Sequence, residues 1–150
     1  MIILTDEDYM KIALEQAKMA SDIGEVPVGA LIVQDEKIIS TGFNKRESSK
    51  NALLHAETVA INSACEKLNG WRILNSTIYV TLEPCAMCAG AIINSRISRV
   101  IYGASDPKAG SFGSIVNLAE LPYNHRPKIV PNVCSEESAA LLFNFFKKLR

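Results

Sequence analysis

Residues 76–104, STIYVTLEPCAMCAGAIINSRISRVIYGA, join two β-rich segments through a segment with helical character. The segments STIYVTL and RVIYGA are rich in β-branched and aromatic side chains, which predicts two strands. Pro84 is well placed as the first residue of the intervening helix, which we expect to run to about Asn94. The stretch therefore predicts a strand, a helix and a strand in succession, as in α/β layered domains.

A second pair of strands is expected nearer the amino terminus. Residues 28–42, VGALIVQDEKIISTG, hold two β-rich segments around a short polar turn at Asp35 and Glu36, a pattern typical of a hairpin. The polar, aperiodic residues 44–51 predict a loop, and a second helix is expected over about residues 55–68. The strands that follow the hairpin are therefore joined through helices.

Helices are also expected near both ends of the chain. Thr5 and Asp8 match an N-capping box, and apolar residues at helical spacing then predict a helix over residues 6–23. Residues 128–133 predict an extended segment, and the last helix is expected to start at Ser135. The predicted buried stripe of this helix comprises Ala139, Leu142, Phe143, Phe146 and Leu149. The order of helices and strands predicts an α/β layered fold.

Length and composition favour one domain over residues 1–150. The 150 residues are 48% apolar and 21% charged, which suits one ordinary core and leaves too little chain for two. Acidic residues at positions 6–8 stand where a secretory signal would carry positive charge, and no apolar run approaches about 20 residues. We therefore expect a cytoplasmic protein that does not span a membrane.

The formal net charge is zero, but the charges are segregated along the chain. Residues 1–36 carry eight acidic and two basic side chains, and the remaining residues carry eight acidic and fourteen basic ones. A basic face for an anionic partner is one outcome of this asymmetry, and a mixed, solvated surface is the other. Composition therefore leaves nucleic-acid binding open.

Two cysteines three residues apart, Cys85 and Cys88, pose the main chemical question of the sequence. Residues i and i+3 in the first turn of a helix share a face, and the unpaired amides of that turn lower thiol pKa values toward the thiolate form. A disulfide, a redox pair, a structural metal site and a catalytic metal site all fit these two residues alone. Reduced thiols are expected, because a cytoplasmic chain keeps its cysteines reduced.

His55 and Glu57 narrow these alternatives. Residues i and i+2 of a regular helix point about 200° apart, so both reach one site only where the first turn opens onto a pocket. His55 with Cys85 and Cys88 supplies three zinc ligands, and a fourth position left to water distinguishes a catalytic site from a structural one. Zinc lowers the pKa of a bound water to about 7, so Glu57 could move its protons to a ring nitrogen and a departing amine. Such chemistry is hydrolytic deamination.

Two other uses of the cysteines stay open. A redox pair of the thioredoxin kind is the first, although no aromatic residue stands just before Cys85. A closed structural zinc site is the second, and it needs Cys65, Cys134 or His125 as a fourth ligand. We expect Cys65 and Cys134 to be small buried core residues instead.

The motif H-x-E at residues 55–57, joined with P-C-x-x-C at residues 84–88, is the known signature of zinc-dependent nucleobase deaminases. From about residue 8 to residue 150, the chain resembles the bacterial tRNA-specific adenosine deaminases. The segments outside the motif that carry the resemblance include GEVPVGALIV, GFNKRE, NHRPKI and FFKKLR. The resemblance implies a cytidine-deaminase-like fold, a three-layer α/β/α arrangement around a five-stranded mixed sheet. It also implies a homodimer with one Zn²⁺ per subunit.

The implied reaction converts the wobble adenosine of a tRNA anticodon loop to inosine and releases ammonia. By resemblance, His55, Cys85 and Cys88 bind the zinc ion and Glu57 shuttles protons. The amide of Cys85 or of a neighbouring residue helps to hold the water. The resemblance therefore assigns one catalytic residue and three metal ligands.

The resemblance also implies contacts with the RNA. Asn44 stands where the family hydrogen-bonds the flipped adenine, although the residue alone also fits a turn asparagine at a strand end. The other implied contacts lie at the pocket walls, beside the neighbouring ribose and phosphate, and at the carboxy terminus: Pro27, Val28, Ala56, Asp106, Lys108, Phe145, Lys147, Lys148 and Arg150. A basic helix end is often just a solvated terminus, but the preceding aromatic pair favours base stacking beside phosphate contacts.

The chain departs from the family pattern at two places. Leu53 and Leu54 stand where the family usually has Thr and Ala, and Lys147 and Lys148 stand where many members have arginines.

Two rival functions stay open. One rival function is deamination of a free base or nucleoside, such as guanine or cytosine. The other is a non-enzymatic, zinc-stabilised RNA-binding module with four protein ligands.

Overall fold

The computed structural model describes residues 3–149, which form four α-helices and five β-strands, so every predicted element is present. The helices are α1 (Asp6–Asp22), α2 (Ala56–Leu68), α3 (Ala86–Asn94) and α4 (Ser135–Lys148). The strands are β1 (Gly29–Gln34), β2 (Lys37–Phe43), β3 (Ser76–Leu82), β4 (Arg99–Ala104) and β5 (Lys128–Val130). Within the described range, no helix is long and apolar enough to cross a lipid bilayer.

The five strands form one mixed sheet in the order β2-β1-β3-β4-β5. Strand β1 is antiparallel to β2 and β3, whereas β4 is parallel to β3 and β5. The predicted hairpin between β1 and β2 is confirmed, and the two residues of its turn, Asp35 and Glu36, have φ angles of 51° and 63°. Two left-handed residues in succession match the twist that a two-residue hairpin turn requires.

Two apolar cores lie on opposite faces of the sheet, because successive side chains of a strand point to opposite sides. On β1, Ala30 and Ile32 belong to the core under α2 and α3, whereas Leu31 and Val33 belong to the core under α1. Helix α4 packs beside α1, on β4. Helices therefore cover both faces, and the predicted α/β/α fold with a five-stranded mixed sheet is confirmed.

Two glycines allow helices to lie unusually close to the sheet. A Cβ atom on Gly29 in β1 would overlap the backbone of α1 at Ala13. A Cβ atom on Gly42 in β2 would overlap the backbone of α2 at Ala56. The second contact holds the first turn of α2 against the end of β2, which Asn44 follows directly.

The N-capping box predicted for α1 is confirmed. The hydroxyl of Thr5 accepts a hydrogen bond from the amide of Asp8 at 3.2 Å. The carboxylate of Asp8 accepts one from the amide of Thr5 at 2.9 Å. Two amides that lack helical partners are therefore satisfied by side chains.

Helix α3 begins two residues later than predicted. Pro84 is not its first residue, since Cys85 is the N-cap with an extended backbone and the helix starts at Ala86. The amide of Glu83 donates to the carbonyl oxygen of Ala104 at 2.9 Å, and the carbonyl oxygen of Pro84 accepts from the amide of Ser111 at 2.9 Å. These two residues therefore bind the end of β4 and the loop that follows it instead of entering the helix.

Four of the five α4 residues that we expected to be buried are exposed and Leu142 is half-buried, so that prediction is wrong. Phe143 and Leu149 are 67% and 69% exposed, and Ala139 and Phe146 are also exposed. The helix instead turns Ser138 toward the sheet, where a Cβ atom on Gly103 of β4 would overlap the serine side chain. The close approach of a small residue to a glycine, rather than the apolar spacing, decides which face of α4 is inside.

Cys65 and Cys134 are half-buried and pack against the two cores, so the expectation of small buried core residues is confirmed only in part. Cys65 lies near the end of α2, with its Sγ atom 3.9 Å from the carbonyl oxygen of Trp71. Cys134 is the left-handed residue that precedes α4, at a φ of 55°. Both positions are at element ends, where packing is less complete than under the sheet.

The contact at Gly29 makes a testable prediction about stability. Gly29→Ala should lower the free energy of unfolding by about 3 kcal/mol, because the added methyl group has no free volume between β1 and α1. Chemical denaturation measures the effect. Gly70→Ala is the matched control, since a Cβ atom there meets nothing nearer than the carbonyl oxygen of Leu68 at 3.9 Å. Equal stability of the two variants would contradict the proposed close packing.

Candidate active site

A cavity of about 200 Å³ opens where β3 ends and the first turns of α2 and α3 meet. Its walls come from the segment before β1, the segment after β2, the starts of the two helices and the loop after β4. The loop after β2 and the loop after β4 are therefore parts of the cavity wall. The chemistry-bearing side chains predicted from the sequence lie on the helix starts.

His55 and Cys85 occupy equivalent positions at two different helices. Each is the N-cap of its helix, His55 at φ −79° and ψ 162° and Cys85 at φ −74° and ψ 176°. Neither side chain caps its own helix, so both are free to face the cavity. Because His55 lies just outside α2, the regular helical angle between residues i and i+2 does not apply. His55 and Glu57 consequently line one cavity.

Three side chains form a candidate metal centre: His55 and Cys85 line the cavity, and Cys88 is buried beside them. The Nδ1 atom of His55 lies 3.6 Å from the Sγ atom of Cys85 and 3.6 Å from the Sγ atom of Cys88. Across residues 3–149 these three are the only group of His, Cys, Asp or Glu side chains placed to hold a metal ion. His125 is engaged elsewhere, with its Nε2 atom 2.6 Å from the carbonyl oxygen of Ile97. The described residues therefore offer three protein ligands.

The two thiols share hydrogen bonds that separate their pKa values. The hydrogen bond from Cys88, followed by that from His55, lowers the pKa of Cys85 to about 4 in spite of its burial. The same hydrogen bond and burial raise the pKa of Cys88 far above its usual value. Hydrogen bonding to Cys85, opposed by burial, raises the pKa of His55. The arrangement favours a thiolate at Cys85, and thiolates are the form that binds metal ions.

Glu57 is the second residue of α2 and is only 4% exposed. Burial is the largest cause that raises its pKa, to about 7, and the charge of Cys85 adds to it. The charge of His55 and a hydrogen bond from Cys88 act in the opposite direction. A carboxyl group with this pKa both accepts and donates protons near neutral pH.

Asn44 lies at the cavity wall, and its side chain also orders its own loop. Its Nδ2 atom donates to the carbonyl oxygen of Val26 at 3.3 Å, and its Oδ1 atom accepts from the amide of Arg46 at 3.2 Å. The turn-forming role considered from the sequence is therefore present. A primary amide has two N–H groups and two oxygen lone pairs, so one of each remains for a ligand.

Comparisons with known proteins identify the family. A profile of the MafB19-like deaminases matches residues 4–150. The tRNA-specific adenosine deaminase of Bacillus subtilis is 46% identical over 146 residues, which cover 97% of this chain and 91% of that protein. The tRNA-specific adenosine deaminase of Rickettsia bellii is 49% identical over 146 residues, which cover 94% of this chain and 99% of that protein. The chain belongs to the tRNA-specific adenosine deaminase family.

A solved structure supports membership of the tRNA-specific adenosine deaminase family. It comes from a study of A-to-I editing by tRNA:A34 deaminases at the wobble position of transfer RNA. The two structures share a TM-score of 0.87 and 40% sequence identity, over 89% of this chain and 98% of that one. The family resemblance predicted from the signature motif is confirmed.

The family's expected site residues fall into three groups in this structure. The first group lines the cavity or faces His55 from its floor: Val28, Asn44, His55, Ala56, Glu57, Cys85, Cys88 and Asp106. In the second group, Pro27 is buried without lining the cavity, and Lys108 is exposed on the loop after β4. The third group, Phe145, Lys147 and Lys148, lies on α4 and does not line the cavity. Arg150 lies outside the described residues.

Sequence reasoning missed five residues of the cavity wall. They are Val26, Arg46, Leu82, Glu83 and Ala109. A signal was available for Glu83, since an isolated acidic residue between an apolar strand and Pro84 must find partners if it is buried. No comparable signal marks Arg46, which resembles any other basic residue of a polar loop.

The geometry of the three candidate ligands predicts the effect of their removal. His55→Ala and Cys88→Ala should each lose most of the bound metal, because two ligands remain where three converged. Elemental analysis after dialysis against a weak chelator measures the stoichiometry. Cys65→Ala removes a half-buried thiol on the same helix as Glu57 and should keep the metal. Retention of metal by both site variants would rule out this centre.

Proposed function

We propose that the protein is a zinc-dependent enzyme that deaminates the wobble adenosine of a tRNA anticodon loop to inosine and releases ammonia. One observation carries the proposal: Glu57, a buried carboxyl group with a pKa of about 7, opens onto the same cavity as His55 and Cys85. The substrate is supported by relatives of 46% and 49% identity that are tRNA-specific adenosine deaminases.

Zinc fits the donor set. Bond lengths of about 2.0–2.1 Å to nitrogen and about 2.3 Å to sulfur, at a tetrahedral angle, separate the two donor atoms by about 3.6 Å. The two nitrogen–sulfur distances at His55 are each 3.6 Å. Thiolate and imidazole donors also favour zinc over magnesium or calcium. We therefore propose one Zn²⁺ per subunit, held by His55, Cys85 and Cys88.

The proposed reaction needs a water molecule as nucleophile and a group that moves two protons. Zinc, when bound, brings the pKa of a water molecule to about 7. Glu57 takes the first proton of the attacking water and delivers it to the adjacent ring nitrogen of the base. The same carboxyl group then moves the second proton to the amino group, which leaves as ammonia. Burial supports both transfers, because it raises the pKa of Glu57 into the range where either form is accessible.

The base is expected to enter the cavity edge first. The remaining N–H group and lone pair of the Asn44 amide would hydrogen-bond the polar edge of the ring. Val28 and Ala56 supply apolar wall, with Pro27 packed behind. An anticodon loop suits such a pocket, since its bases are partly unstacked and extruding one costs less than in a duplex.

The surface around the cavity is proposed to hold the flanking nucleotides. Asp106 and Lys108 lie on the loop after β4 and would contact the neighbouring ribose and phosphate. Phe145 packs edge-on against Phe146 at 5.3 Å, next to Lys147 and Lys148. An exposed apolar face with adjacent lysines suits base stacking beside phosphate contacts. Arg150 would extend this basic end.

We propose that the protein acts in the cytoplasm as a homodimer. The family resemblance is the main support for the dimer. Exposed apolar side chains such as Leu53 and Trp71 are available for a subunit contact. Sedimentation analysis of the zinc-loaded protein tests the oligomeric state directly.

The substrate is tested with an anticodon stem-loop that carries adenosine at the wobble position. We expect inosine in this RNA, measured by nucleoside analysis after digestion. Guanine, cytosine and free adenosine serve as parallel substrates with ammonia as the readout, and we expect none from them. Ammonia from a free base with no inosine in the RNA would refute the RNA substrate and favour a free-base deaminase.

The role of Glu57 gives a separate prediction. Glu57→Ala should lower the rate of inosine formation by at least about 100-fold, because the proposed mechanism assigns both proton transfers to its carboxyl group. Zinc content should stay unchanged, since Glu57 is not among the three ligands. Glu66→Ala changes an exposed glutamate on the same helix and is the control. Full activity of Glu57→Ala would overturn the proposed mechanism.

A further inference from the structure

Two buried carboxylates near the cavity have no role in the proposed proton transfers. Glu25 is 1% exposed and Glu83 is 2% exposed. No Lys, Arg or His side chain among residues 3–149 forms a salt bridge with either of them. A buried carboxylate needs strong hydrogen-bond donors in place of water. In both cases the donors come from a loop of the cavity wall.

Glu83 collects the donors of the loop after β4, residues 105–114. Its Oε1 atom accepts from the amide of Asp106 at 3.1 Å and from the hydroxyl of Ser114 at 2.5 Å. Its Oε2 atom accepts from the amides of Phe112 and Ser114 at 3.1 and 3.0 Å. Each oxygen therefore has two donors, which leaves no lone pair for substrate or for proton transfer.

The loop wraps so tightly around this carboxylate that residue 110 must lack a side chain. A Cβ atom on Gly110 would overlap the carboxylate of Glu83. Its φ angle is not in the left-handed region, so space alone explains the glycine. The loop from Asp106 to Ser114 is thus shaped around Glu83.

Glu25 accepts hydrogen bonds from the loop after β2, residues 44–51. Its Oε1 atom accepts from the amide of Glu47 at 3.1 Å. Its Oε2 atom accepts from the amide and the hydroxyl of Ser48, both at 2.7 Å. Arg46 immediately precedes these donors and lines the cavity, as Asn44 does.

We propose that Glu25 and Glu83 are positioning residues, each of which holds one wall loop of the cavity in its substrate-binding shape. Glu25 acts through Asn44 and Arg46, and Glu83 acts through Asp106 and Ala109. Neither is a catalytic residue, because both oxygens of Glu83 are filled by loop donors and Glu25 does not line the cavity. The identity of the substrate in this proposal rests on the proposed function.

The expected advantage is that each wall loop is already ordered before the RNA binds. A loop that must be ordered on binding costs affinity, and donors fixed in advance remove that cost. Glutamine has nearly the shape of glutamate, but its NH₂ group would face N–H donors and leave them unpaired. The Glu→Gln change therefore tests the hydrogen bonds with little change in volume.

The first experiment compares Glu25→Gln and Glu83→Gln in the zinc-loaded protein with the anticodon stem-loop. We expect KM to rise about tenfold or more and kcat to change far less, with zinc content unchanged. Tyr79→Phe is the stability control, since it removes a hydrogen bond to Asp6 outside the cavity walls. It should lower the melting temperature and leave KM unchanged. If the glutamine variants also lose only stability, the positioning role is overturned.

The second experiment reads the loops without any substrate. Amide hydrogen exchange should increase within residues 44–51 in Glu25→Gln and within residues 105–114 in Glu83→Gln. In each variant, exchange in the other loop should stay unchanged. Unchanged exchange in both variants, or an increase spread over the whole chain, would overturn the proposal. If the unaltered protein makes no inosine, the proposed function fails, while exchange still decides whether each carboxylate holds its loop.

A glycine pair gives an independent check of the loop after β4. Gly110→Ala should reproduce the KM effect of Glu83→Gln, because the methyl group pushes the loop off the carboxylate. Gly90→Ala makes the same chemical change in α3, where a Cβ atom meets nothing within 4 Å, and should leave KM unchanged. A KM for Gly110→Ala equal to that of Gly90→Ala would contradict the proposed fit between loop and carboxylate.

Discussion

Two helices must begin at the same place for this site to exist. Helix α2 is pressed against β2 at Gly42, and α3 follows β3 in the centre of the sheet, so their first turns converge. Each helix places its N-cap residue, His55 or Cys85, at the point of convergence with its side chain uncommitted to capping. The unpaired amides of both first turns also point there, and their partial positive charge favours a thiolate.

Three buried glutamates near this point show how hydrogen-bond donors decide the state of a carboxyl group. Burial raises the pKa of Glu57 to about 7, since few donors compensate for the loss of water. Burial acts in the same direction on Glu25 and Glu83, but the hydrogen bonds from their loops outweigh it and hold both pKa values below the usual range. The fold thus provides one carboxyl group that can exchange protons and two that stay ionised and bind backbone.

The sequence predicted most of the fold because its local signals agree with the final packing. The β-rich segments at residues 76–82 and 99–104, the turn at Asp35 and Glu36, and the capping box of α1 all act within a few residues. The predictions were wrong where a contact between residues far apart in the sequence determines the local structure. The expected helix start at Pro84 is wrong because its carbonyl oxygen binds the amide of Ser111, which is far along the chain. The face of α4 was wrong because the packing of Ser138 against Gly103 has no counterpart in the helical spacing.

By itself, the sequence determined which side chains could carry the chemistry: the histidine, the two cysteines and the glutamate of the signature motif are recognisable by their types and spacing. Only the tertiary structure decided that His55, Glu57 and Cys85 line one cavity with Asn44 and Asp106, that Cys88 lies beside His55, and that Lys108 and α4 lie outside the cavity. It alone also revealed Glu25 and Glu83 as the residues around which the wall loops are shaped. The reason is physical. The types of possible metal ligands and the preference for strand or helix are local properties of the sequence. The burial of a side chain, its hydrogen-bond donors and the close packing of helices on the sheet depend on residues that meet only after folding.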